Sequence, residues 1–415
     1  MLNFISQPHP RLPAPTRPCK VAVIWIDWYA YHVARFRGLL SAPSLAGRVC
    51  GIELVGGVGV HAGLKFREEI PPELPVHTLM PESSWADAGQ LRLARKLWRH
   101  LSQLDPDVVL VPGYYTLPAI AAALWARLHH RRSVLMTEST AEDHARVPWK
   151  EWFKAVLIRT LFDAAVTGGL AHRRYLEQLG FPPDRIAGFY DVVDNTYLAD
   201  RTDELRTQSP QVHGLPETYF LYVGRLSEEK NIHSLVQAWL AYRESGGTWS
   251  LVLVGDGSEA PTLRHLVASS PFAADVHFAG HKGSRDLPIF YAFAGCFVLP
   301  SSREPWGLVV NEAMAAGLPV IVSERCGCAE DLVDPPRNGL IFDPSIDGQL
   351  LGCLHQISSA SPVTRASMRA CSRERISRYS PQNFGREIAS LAAGEPISAT
   401  SFTSSNRHRN SSVTL

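Results

Sequence analysis

The feature that most constrains the fold of this sequence is an alternation of short apolar runs with longer amphipathic stretches. The apolar runs of the first half span residues 21–26, 50–55, 108–111, 133–136, 164–167 and 185–189. Several of the stretches between them have the spacing of amphipathic helices, as over residues 91–104 and 118–128. Strands alternating with helices predict a parallel sheet that helices cover on both faces. The first half therefore predicts a doubly wound α/β domain.

The same alternation begins again after a polar stretch over residues 200–216, which has the composition of a linker. The apolar runs of the second half span residues 219–223, 250–254, 276–278, 296–299 and 319–322. We expect two Rossmann-like α/β domains with parallel sheets that face each other across a cleft. The predicted segments are a flexible arm over 1–18, domains over 19–205 and 206–380, a C-terminal helix over 381–395 that is a candidate for crossing back, and a disordered tail over 396–415.

Composition and charge narrow the class of protein. A length of 415 residues, 45% of them hydrophobic, is enough for two cores. A formal net charge of +1 gives no global reason to bind nucleic acid, and we expect none as a partner. Residues 1–18 lack the apolar region of a signal peptide, and no apolar run has the length of a membrane span. The sequence predicts a soluble, cytoplasmic protein.

One segment offers an alternative to a purely soluble protein. Residues 92–100 are basic and amphipathic and include Trp98, a pattern compatible with peripheral contact at the inner face of a membrane. The competing interpretation is a packed helix with a solvated basic face.

Cysteines and acidic pairs do not predict a metal site. The seven cysteines are scattered, and Cys326 and Cys328 lack a second pair at zinc-site spacing. Asp105 and Asp107 precede an apolar run and are expected to form a helix-to-strand turn. We expect no metal requirement.

Two cations follow the strand at residues 219–223. Gly224 ends that strand, and Arg225 and Lys230 come before the next helix. Ligands of open α/β sheets bind outside the carboxyl ends of the strands, where a diphosphate is suited by an Arg fork and a Lys point charge. The alternative is a solvated helix start with two basic residues.

A glycine turn follows the next strand. Gly255, Asp256 and Gly257, with Ala260 three residues later, nearly match a dinucleotide-binding fingerprint. No acidic residue is clearly placed to hold a ribose about 20 residues on. We interpret the segment as a tight turn that brings backbone close to a nucleotide.

Two glutamates separated by seven residues form the third motif. Glu304 lies in a loop, and Glu312 lies about one turn inside the helix that follows. The backbone N–H groups at the start of that helix, near Gly307, Leu308 and Val309, would suit a phosphate. The alternative is two surface glutamates on a buried helix.

Together these motifs resemble the donor domain of retaining glycosyltransferases with the GT-B fold, glycosyltransferase family 4 (group 1), from about residue 219 to 345. The resemblance implies that the second domain binds a nucleotide-diphosphate sugar and the first an acceptor. It implies that Arg225 and Lys230 hold the diphosphate, Glu312 the ribose and Glu304 the sugar. The implied donor-binding residues are Gly224, Arg225, Lys230, Gly255, Asp256, Gly257, Gly280, His281, Glu304, Gly307, Leu308, Val309 and Glu312.

The first domain departs from the family pattern. The family's glycine pair after the first strand is absent, and Tyr31, His32 and Arg35 lie there instead. We expect these residues to line the cleft or contact the acceptor, with ordinary helix-surface positions as the equal alternative for His32 and Arg35. Glu138 occupies roughly the position of the family's active-site His. Asp194 matches the last residue of a family turn.

The resemblance implies a retaining transfer of a hexose-type sugar to a saccharide, lipid-linked or small-molecule acceptor, in polysaccharide or glycolipid biosynthesis. The implied catalytic residues are Glu304, Arg225, Lys230 and Glu138, with no cofactor beyond the donor substrate. Two other functions remain open. A nicotinamide-dependent oxidoreductase would use residues 255–260, and an inactive sugar-nucleotide-binding protein would keep the donor site without turnover.

Overall fold

The computed structural model describes residues 20–57, 70–143, 146–395 and 397. The predicted arm over 1–18 lies outside the described residues, as does the predicted tail apart from Ile397. Two parallel sheets with covering helices form the expected α/β architecture of two Rossmann-like domains. Across the described ranges, no helix is both long enough and apolar enough to cross a bilayer.

The first sheet has seven parallel strands in the order β3-β2-β1-β4-β5-β6-β7. Its strands are β1 (Val21–Trp25), β2 (Val49–Val55), β3 (Val76–Met80), β4 (Val108–Pro112), β5 (Arg132–Thr137), β6 (Ala164–Thr167) and β7 (Ile186–Ala187). The central strand β1 is buried at all five positions, which explains its continuous apolar sequence. The order reverses between β1 and β4, so a crevice opens beside the end of β1.

The helices of the first domain are α1 (Ala30–Ser41), α2 (Gln90–Leu104), α3 (Leu117–Leu128), α4 (Pro148–Leu161) and α5 (Leu170–Gln178). Side chains of α2, α3, α4 and α5 pack into one apolar cluster on a single face of the sheet. On α2 the buried stripe includes Leu93, Leu97 and Leu101, whereas Leu91 is exposed. Asp105 and Asp107 form the expected turn between α2 and β4, where both carboxylates bind Arg131.

The second sheet has six parallel strands in the order β10-β9-β8-β11-β12-β13. Its strands are β8 (Tyr219–Val223), β9 (Ser250–Val254), β10 (Val276–Gly280), β11 (Cys296–Leu299), β12 (Val320–Ser323) and β13 (Gly339–Phe342). The reversal here falls between β8 and β11. The loops after these two strands therefore border a second crevice, and they contain Arg225, Lys230 and Glu304.

The remaining helices are α6 (Asn195–Leu205), α7 (Ile232–Glu244), α8 (Ala260–Ala268), α9 (Leu287–Phe293), α10 (Leu308–Ala315), α11 (Ala329–Leu332), α12 (Gln349–Ser359), α13 (Pro362–Ile376) and α14 (Pro381–Ala393). The stretch over 200–216 is more ordered than its linker composition indicated, because α6 runs to Leu205 and a 3-10 turn spans Pro210–His213. Although α6 precedes residue 206, it packs on α9 and α10.

The C-terminal helix α14 packs along α1 of the first domain. Glycines on both helices allow this close approach, since a Cβ atom on Gly38 would lie 2.0 Å from the Pro381 carbonyl oxygen. A Cβ atom on Gly385 would lie 2.1 Å from the Gly38 carbonyl oxygen. The last helix therefore connects the second domain back to the first.

Candidate active site

The loops after β8, β9 and β10 are joined edge to edge by backbone hydrogen bonds. Gly224 N–H donates to the Val254 carbonyl, and Gly255 N–H donates to the Gly280 carbonyl. Gly255 has φ +141°, and a Cβ atom there would lie 1.8 Å from the Gly224 carbonyl oxygen. Only glycine fits this position. The structure brings together three predicted glycines into one continuous backbone edge of the cleft.

The turn over residues 255–257 has a structural explanation that needs no dinucleotide. A Cβ atom on Gly257 would lie 2.4 Å from the Leu226 carbonyl oxygen, so this glycine permits two loops to pack. The exposed Asp256 carboxylate accepts a hydrogen bond from Gly257 N–H at 2.8 Å. The following helix α8 begins only at Ala260. The oxidoreductase interpretation loses its main support, because packing already accounts for the glycine spacing.

Lys230 and Glu304 form an ion pair across the crevice between β8 and β11. Both side chains are largely buried, and Ser301 Oγ also lies 3.4 Å from the Glu304 carboxylate. Arg225 is half-exposed and pairs with Glu229 at 3.2 Å. The structure therefore brings together three of the four residues predicted to be catalytic, with Arg225 at the open side.

The start of α10 faces the same crevice. Gly307 is the N-cap residue of this helix, has φ +104° and provides no side-chain cap for the backbone N–H groups. Leu308 and Val309, in the first turn, are half-buried. A helix start without a side-chain cap presents orphan N–H donors and the positive end of the helix dipole, which favour an anion.

Glu312 lies one turn into α10 and accepts a 2.7 Å hydrogen bond from the buried Tyr291 hydroxyl. Its side chain lines a cavity of about 230 Å³ between the domains, together with Tyr31, Asp194, Ser284 and Arg285. His281 is exposed in the loop after β10. The cavity brings Glu312 to the two predicted cleft residues Tyr31 and Asp194.

Arg35 was predicted either to line the cleft or to lie on the surface of α1, and the surface alternative is wrong. Its guanidinium is fully buried, binds Asp191 at 2.9 Å, and stacks on the rings of Tyr190 and Tyr31 with its carbon 4.1 and 4.8 Å from their centres. Within the described residues, Arg35 Nε and Nη1 and Asp191 Oδ2 have no hydrogen-bond partner. Arg35 therefore forms part of the interior wall of the cleft.

His32 is likewise buried rather than exposed on α1. Its ring stacks on Trp25 at 4.7 Å, and its Nδ1 accepts a 3.3 Å hydrogen bond from Tyr29 N–H at the start of the helix. These contacts give His32 a structural role in the first turn of α1.

Glu138 directly follows β5, and its charge acts on the Arg35 and Asp191 pair. Burial raises the pKa of Asp191 well above its ordinary value, the Glu138 carboxylate raises it further, and Arg35 opposes both effects. Two neighbouring carboxyl groups thus act on one buried guanidinium, and Arg35 is the cation that offsets their mutual repulsion. The sequence prediction missed Asp191 and Tyr190, which lie three and four residues before the predicted Asp194.

Asp194 has a helix-capping role. Its carboxylate accepts a 3.0 Å hydrogen bond from Tyr197 N–H and so caps α6. An Asp at this position satisfies an orphan donor of the first turn, which explains the residue independently of any ligand.

Three further side chains join the domains beside the site, and the sequence prediction missed all of them. Asn311 on α10 donates to the Asp191 carbonyl at 2.9 Å, and His172 Nε2 lies 3.0 Å from the Pro305 carbonyl oxygen. Asp331 accepts a 3.0 Å hydrogen bond from Leu170 N–H, at the start of α5. Of these contacts, the one between His172 and Pro305 holds the loop that contains Glu304 against the first domain.

A second cavity, of about 660 Å³, has Glu304 in its wall. Its walls come from the loop after β5, the helix α5 and the loops after β11 and β12. Its charged lining residues are Glu142, Asp143, Arg174, Arg303, Glu304, Glu324, Arg325 and Glu330. Among the residues that the structure describes, no three His, Cys, Asp or Glu side chains cluster as a metal site would require.

Comparison with known families gives two matches. Residues 206–369 match the model of the glycosyl transferases group 1, and residues 58–196 match that of glycosyltransferase family 4. The O-antigen chain mannosyltransferase B of Escherichia coli is 30% identical over 54% of this chain and 60% of its own length. A GDP-mannose-dependent alpha-mannosyltransferase of Mycolicibacterium smegmatis is 38% identical over 34% of this chain and 33% of its own length.

Solved structures share the fold along nearly the whole chain. The crystal structure of HepE from Anabaena in complex with UDP-glucose is 17% identical, with a TM-score of 0.68 over 90% of this chain and 99% of that chain. The curated relatives are matched over a smaller part, since the chain spans 60% of the E. coli relative and 33% of the M. smegmatis relative. The two family matches together take in most of both domains, and the chain belongs to the group 1 glycosyltransferases, glycosyltransferase family 4.

Proposed function

We propose that this protein is a retaining glycosyltransferase that moves a hexose-type sugar from a nucleotide-diphosphate sugar to a saccharide, lipid-linked or small-molecule acceptor. The observation that carries the proposal is the Lys230–Glu304 ion pair beside the start of α10, where the N-cap residue Gly307 provides no side-chain cap. The site combines a cation, a carboxylate and orphan backbone donors at one crevice. These are the groups that a diphosphate leaving group and a sugar hydroxyl require.

The related proteins support a sugar-nucleotide donor. The M. smegmatis relative is described as GDP-mannose-dependent, and HepE was crystallised with UDP-glucose. These two donors differ in their base. The identity of the donor base and sugar is therefore a question for experiment, whereas the diphosphate is common to both.

The second domain supplies the groups that stabilise the leaving diphosphate. Lys230 and Arg225 provide positive charge, and the first turn of α10 provides backbone N–H donors. Such preorganised donors lower the barrier because they need no rearrangement as negative charge develops. We assign Glu312 to the ribose hydroxyls, where the Tyr291 hydroxyl holds one carboxylate oxygen in place.

The first domain supplies the groups around the reacting sugar. We assign Glu138 a polar contact to the sugar, in place of the histidine that the family pattern places near this position. Arg35 and Asp191 are buried behind it and act as positioning residues. In the proposed same-face mechanism the leaving phosphate takes the acceptor proton, so the bond to the acceptor oxygen forms on the face from which the diphosphate leaves.

We place the acceptor in the cavity of about 660 Å³, because Glu304 lies in its wall. The cavity has carboxylates and guanidinium groups close together, and such polar groups are suited to the hydroxyls of a saccharide or of a glycolipid head group. The proposed setting is polysaccharide or glycolipid biosynthesis. The E. coli relative, which is named as an O-antigen chain mannosyltransferase, supports it.

Turnover tests this proposal and separates it from an inactive sugar-nucleotide-binding protein. Purified protein is incubated with UDP-glucose, GDP-mannose or ADP-glucose and a panel of acceptors, and the released nucleoside diphosphate is measured. We expect Glu304→Gln and Lys230→Met each to lower kcat by about 10²–10³-fold. Glu228→Gln, an exposed neighbour, is the matched control and should retain activity.

Two further readouts complete the experiment. Nuclear magnetic resonance of the product should show the anomeric configuration of the donor, and inversion would contradict the retaining mechanism. Activity should survive a chelator, and loss that only a divalent metal restores would contradict the metal-free mechanism. Binding of a donor with no release of nucleoside diphosphate in the presence of any acceptor of the panel would overturn the enzyme proposal.

A further inference from the structure

Helix α4 exposes an apolar surface where a helix of a soluble domain would be polar. Trp149, Trp152 and Phe153 are 68%, 60% and 61% exposed. Two of the charged residues in these turns face inward, where Glu151 and Lys154 both contact the hydroxyl of the buried Tyr175, whereas Lys150 is exposed beside Trp149. The first two turns of α4 therefore expose three aromatic side chains and one cation, where an ordinary amphipathic helix would bury its aromatic residues.

The neighbouring helix α3 extends this surface. Leu117, Leu124 and Leu128 are exposed at helical spacing, and α3 packs against α4. Scattered exposed apolar residues are normal on a soluble protein, but several large apolar side chains exposed on two helices that pack together indicate a binding surface. We call this patch of α3 and α4 the apolar surface.

A basic stripe borders the apolar surface on the far side of α3. Helix α2 packs against α3, and its exposed residues include Arg92, Arg95, Lys96 and Arg99. The spacing of these cations places them along one side of the helix. The sequences of α2, α3 and α4 contain a single acidic residue, Glu151, which faces Tyr175.

We propose that the apolar surface and the basic stripe of α2 dock this protein on an anionic lipid bilayer. Exposed Trp and Phe side chains insert at the interface of a bilayer, and cations on the adjacent helix are attracted to anionic head groups. Charge complementarity favours lipid over a second copy of the chain. A two-fold contact through this face would bring two basic helices into one interface, where like charges repel.

The aromatic residues differ from those that the sequence pattern indicated. Trp98 on α2 is half-buried, and its ring packs against His129 with centres 6.2 Å apart. The basic stripe lies on α2 as that pattern predicted, but the interfacial aromatic residues lie two helices away on α4. Only the packing of α2, α3 and α4 brings the two features to one face.

The surface lies close to the cavity that we assign to the acceptor. Tyr175 lines that cavity and contacts Glu151 on the inward side of α4, while Trp152 and Phe153 face outward. The lipid surface and the cavity wall are thus separated by roughly one helix diameter, about 10 Å. A lipid-linked acceptor would then reach the cavity from the bilayer. This last step alone rests on the proposed function.

Vesicle sedimentation of the full chain tests the docking surface. Vesicles of phosphatidylcholine are compared with vesicles that also contain phosphatidylglycerol. We expect the protein to bind only the anionic vesicles, and W149S/W152S/F153S to weaken that binding at least about tenfold. R92Q/R95Q/R99Q should remove the preference for phosphatidylglycerol. V363S and R337Q, at exposed sites of the second domain, are the matched controls and should bind as the native protein does.

Three outcomes would overturn the docking proposal. The native protein could ignore anionic vesicles, the aromatic variant could bind them undiminished, or sedimentation velocity could show a dimer that W149S/W152S/F153S abolishes and V363S retains. The last outcome would assign the surface to a second copy. Thermal stabilisation by a nucleoside diphosphate is measured on each variant, so that failure of membrane docking is distinguishable from failure of the donor site.

Discussion

The second domain lines the cleft with backbone groups, whereas the first domain lines it with side chains. In the second domain the edge is backbone, since Gly224 and Gly255 let adjacent loops touch and the start of α10 exposes N–H groups. In the first domain the edge consists of buried side chains, with Arg35 held by Asp191 and stacked on Tyr190. A backbone site requires glycine at fixed places, whereas a cluster of side chains draws on distant parts of the chain. The backbone edge of the second domain can therefore be recognised in the sequence as a glycine motif, whereas the side-chain edge of the first domain cannot.

The difference is also energetic. At the backbone edge, glycine adopts positive φ and close contacts without strain, so the folded state is destabilised only when a substitution adds a Cβ atom. At the side-chain edge, burying the two charges of an ion pair costs desolvation free energy, and removing either partner leaves the other charge buried and unpaired. Substitutions should thus affect the two edges by different mechanisms.

The largest effect is expected from breaking the buried pair. Arg35→Met leaves the Asp191 carboxylate buried without its cation, and we expect the free energy of unfolding to fall by about 3–5 kcal/mol. Urea denaturation measures the change. The double variant Arg35→Met/Asp191→Leu should recover most of the loss, because it removes both buried charges.

Arg37→Met is the matched control for this pair. Its guanidinium is 53% exposed and binds the exposed Glu73 at 3.4 Å, so its loss should cost less than about 1 kcal/mol. Equal destabilisation by Arg35→Met and Arg37→Met would contradict a side-chain edge held by a buried ion pair.

The second largest effect is expected at the backbone edge. Gly255→Ala makes the φ of +141° unfavourable and places a Cβ atom 1.8 Å from the Gly224 carbonyl oxygen. We expect the free energy of unfolding to fall by about 2–4 kcal/mol. Gly246→Ala shares the positive φ but meets nothing within 4 Å, so about 1 kcal/mol is expected. Urea denaturation of both variants isolates the close approach. Similar losses for the two would show that the loops do not depend on it.

A smaller, pH-dependent effect is expected where the two edges meet. His172 Nδ1 accepts from Gly169 N–H at 3.2 Å, and its Nε2 faces the Pro305 carbonyl, a pattern that fits the neutral ring. Burial lowers the pKa of His172 below its ordinary value of 6.5. His172→Ala should cost about 1–2 kcal/mol at neutral pH.

The sign of the pH dependence follows from the lowered pKa. The folded state binds the His172 proton less readily than the unfolded state, so this stabilisation is complete above 6.5 and is lost as pH falls through the lower folded pKa. The difference in melting temperature between the native protein and His172→Ala should therefore shrink in acid. His233→Ala, at an exposed site of α7, should show no such trend. A difference that grows in acid would mean that the charged ring is the bound form.

The same contrast explains how far the sequence could be interpreted. Apolar runs located strands such as Tyr219–Val223 and Ser250–Val254 to the residue, because a parallel strand buried on both faces needs a continuous apolar sequence. The edge strand β3 (Val76–Met80) was missed, since its half-exposed positions interrupt the apolar run. The polar composition of residues 200–216 concealed the end of α6, whose buried face is narrow.

At the site, the sequence pattern identified residues that neighbouring loops present together. It found Lys230 and Glu304, which the fold pairs although 74 residues separate them. It missed His172, Asn311 and Asp331, because single polar residues on helices have no local signature until the domains pack together. It also left the environment of Arg35 open, since burial of a lone Arg on α1 depends on a partner 156 residues away.

Nucleotide binding tests the central claim, a diphosphate site on the backbone edge, most directly. Thermal stabilisation by UDP, GDP, ADP and NAD is measured on the native protein, on Arg225→Ala and Lys230→Ala, and on Arg337→Ala as the exposed control. We predict a shift with one nucleoside diphosphate that both site variants lose and Arg337→Ala keeps. A shift with NAD alone, or one that survives both site variants, would contradict the account.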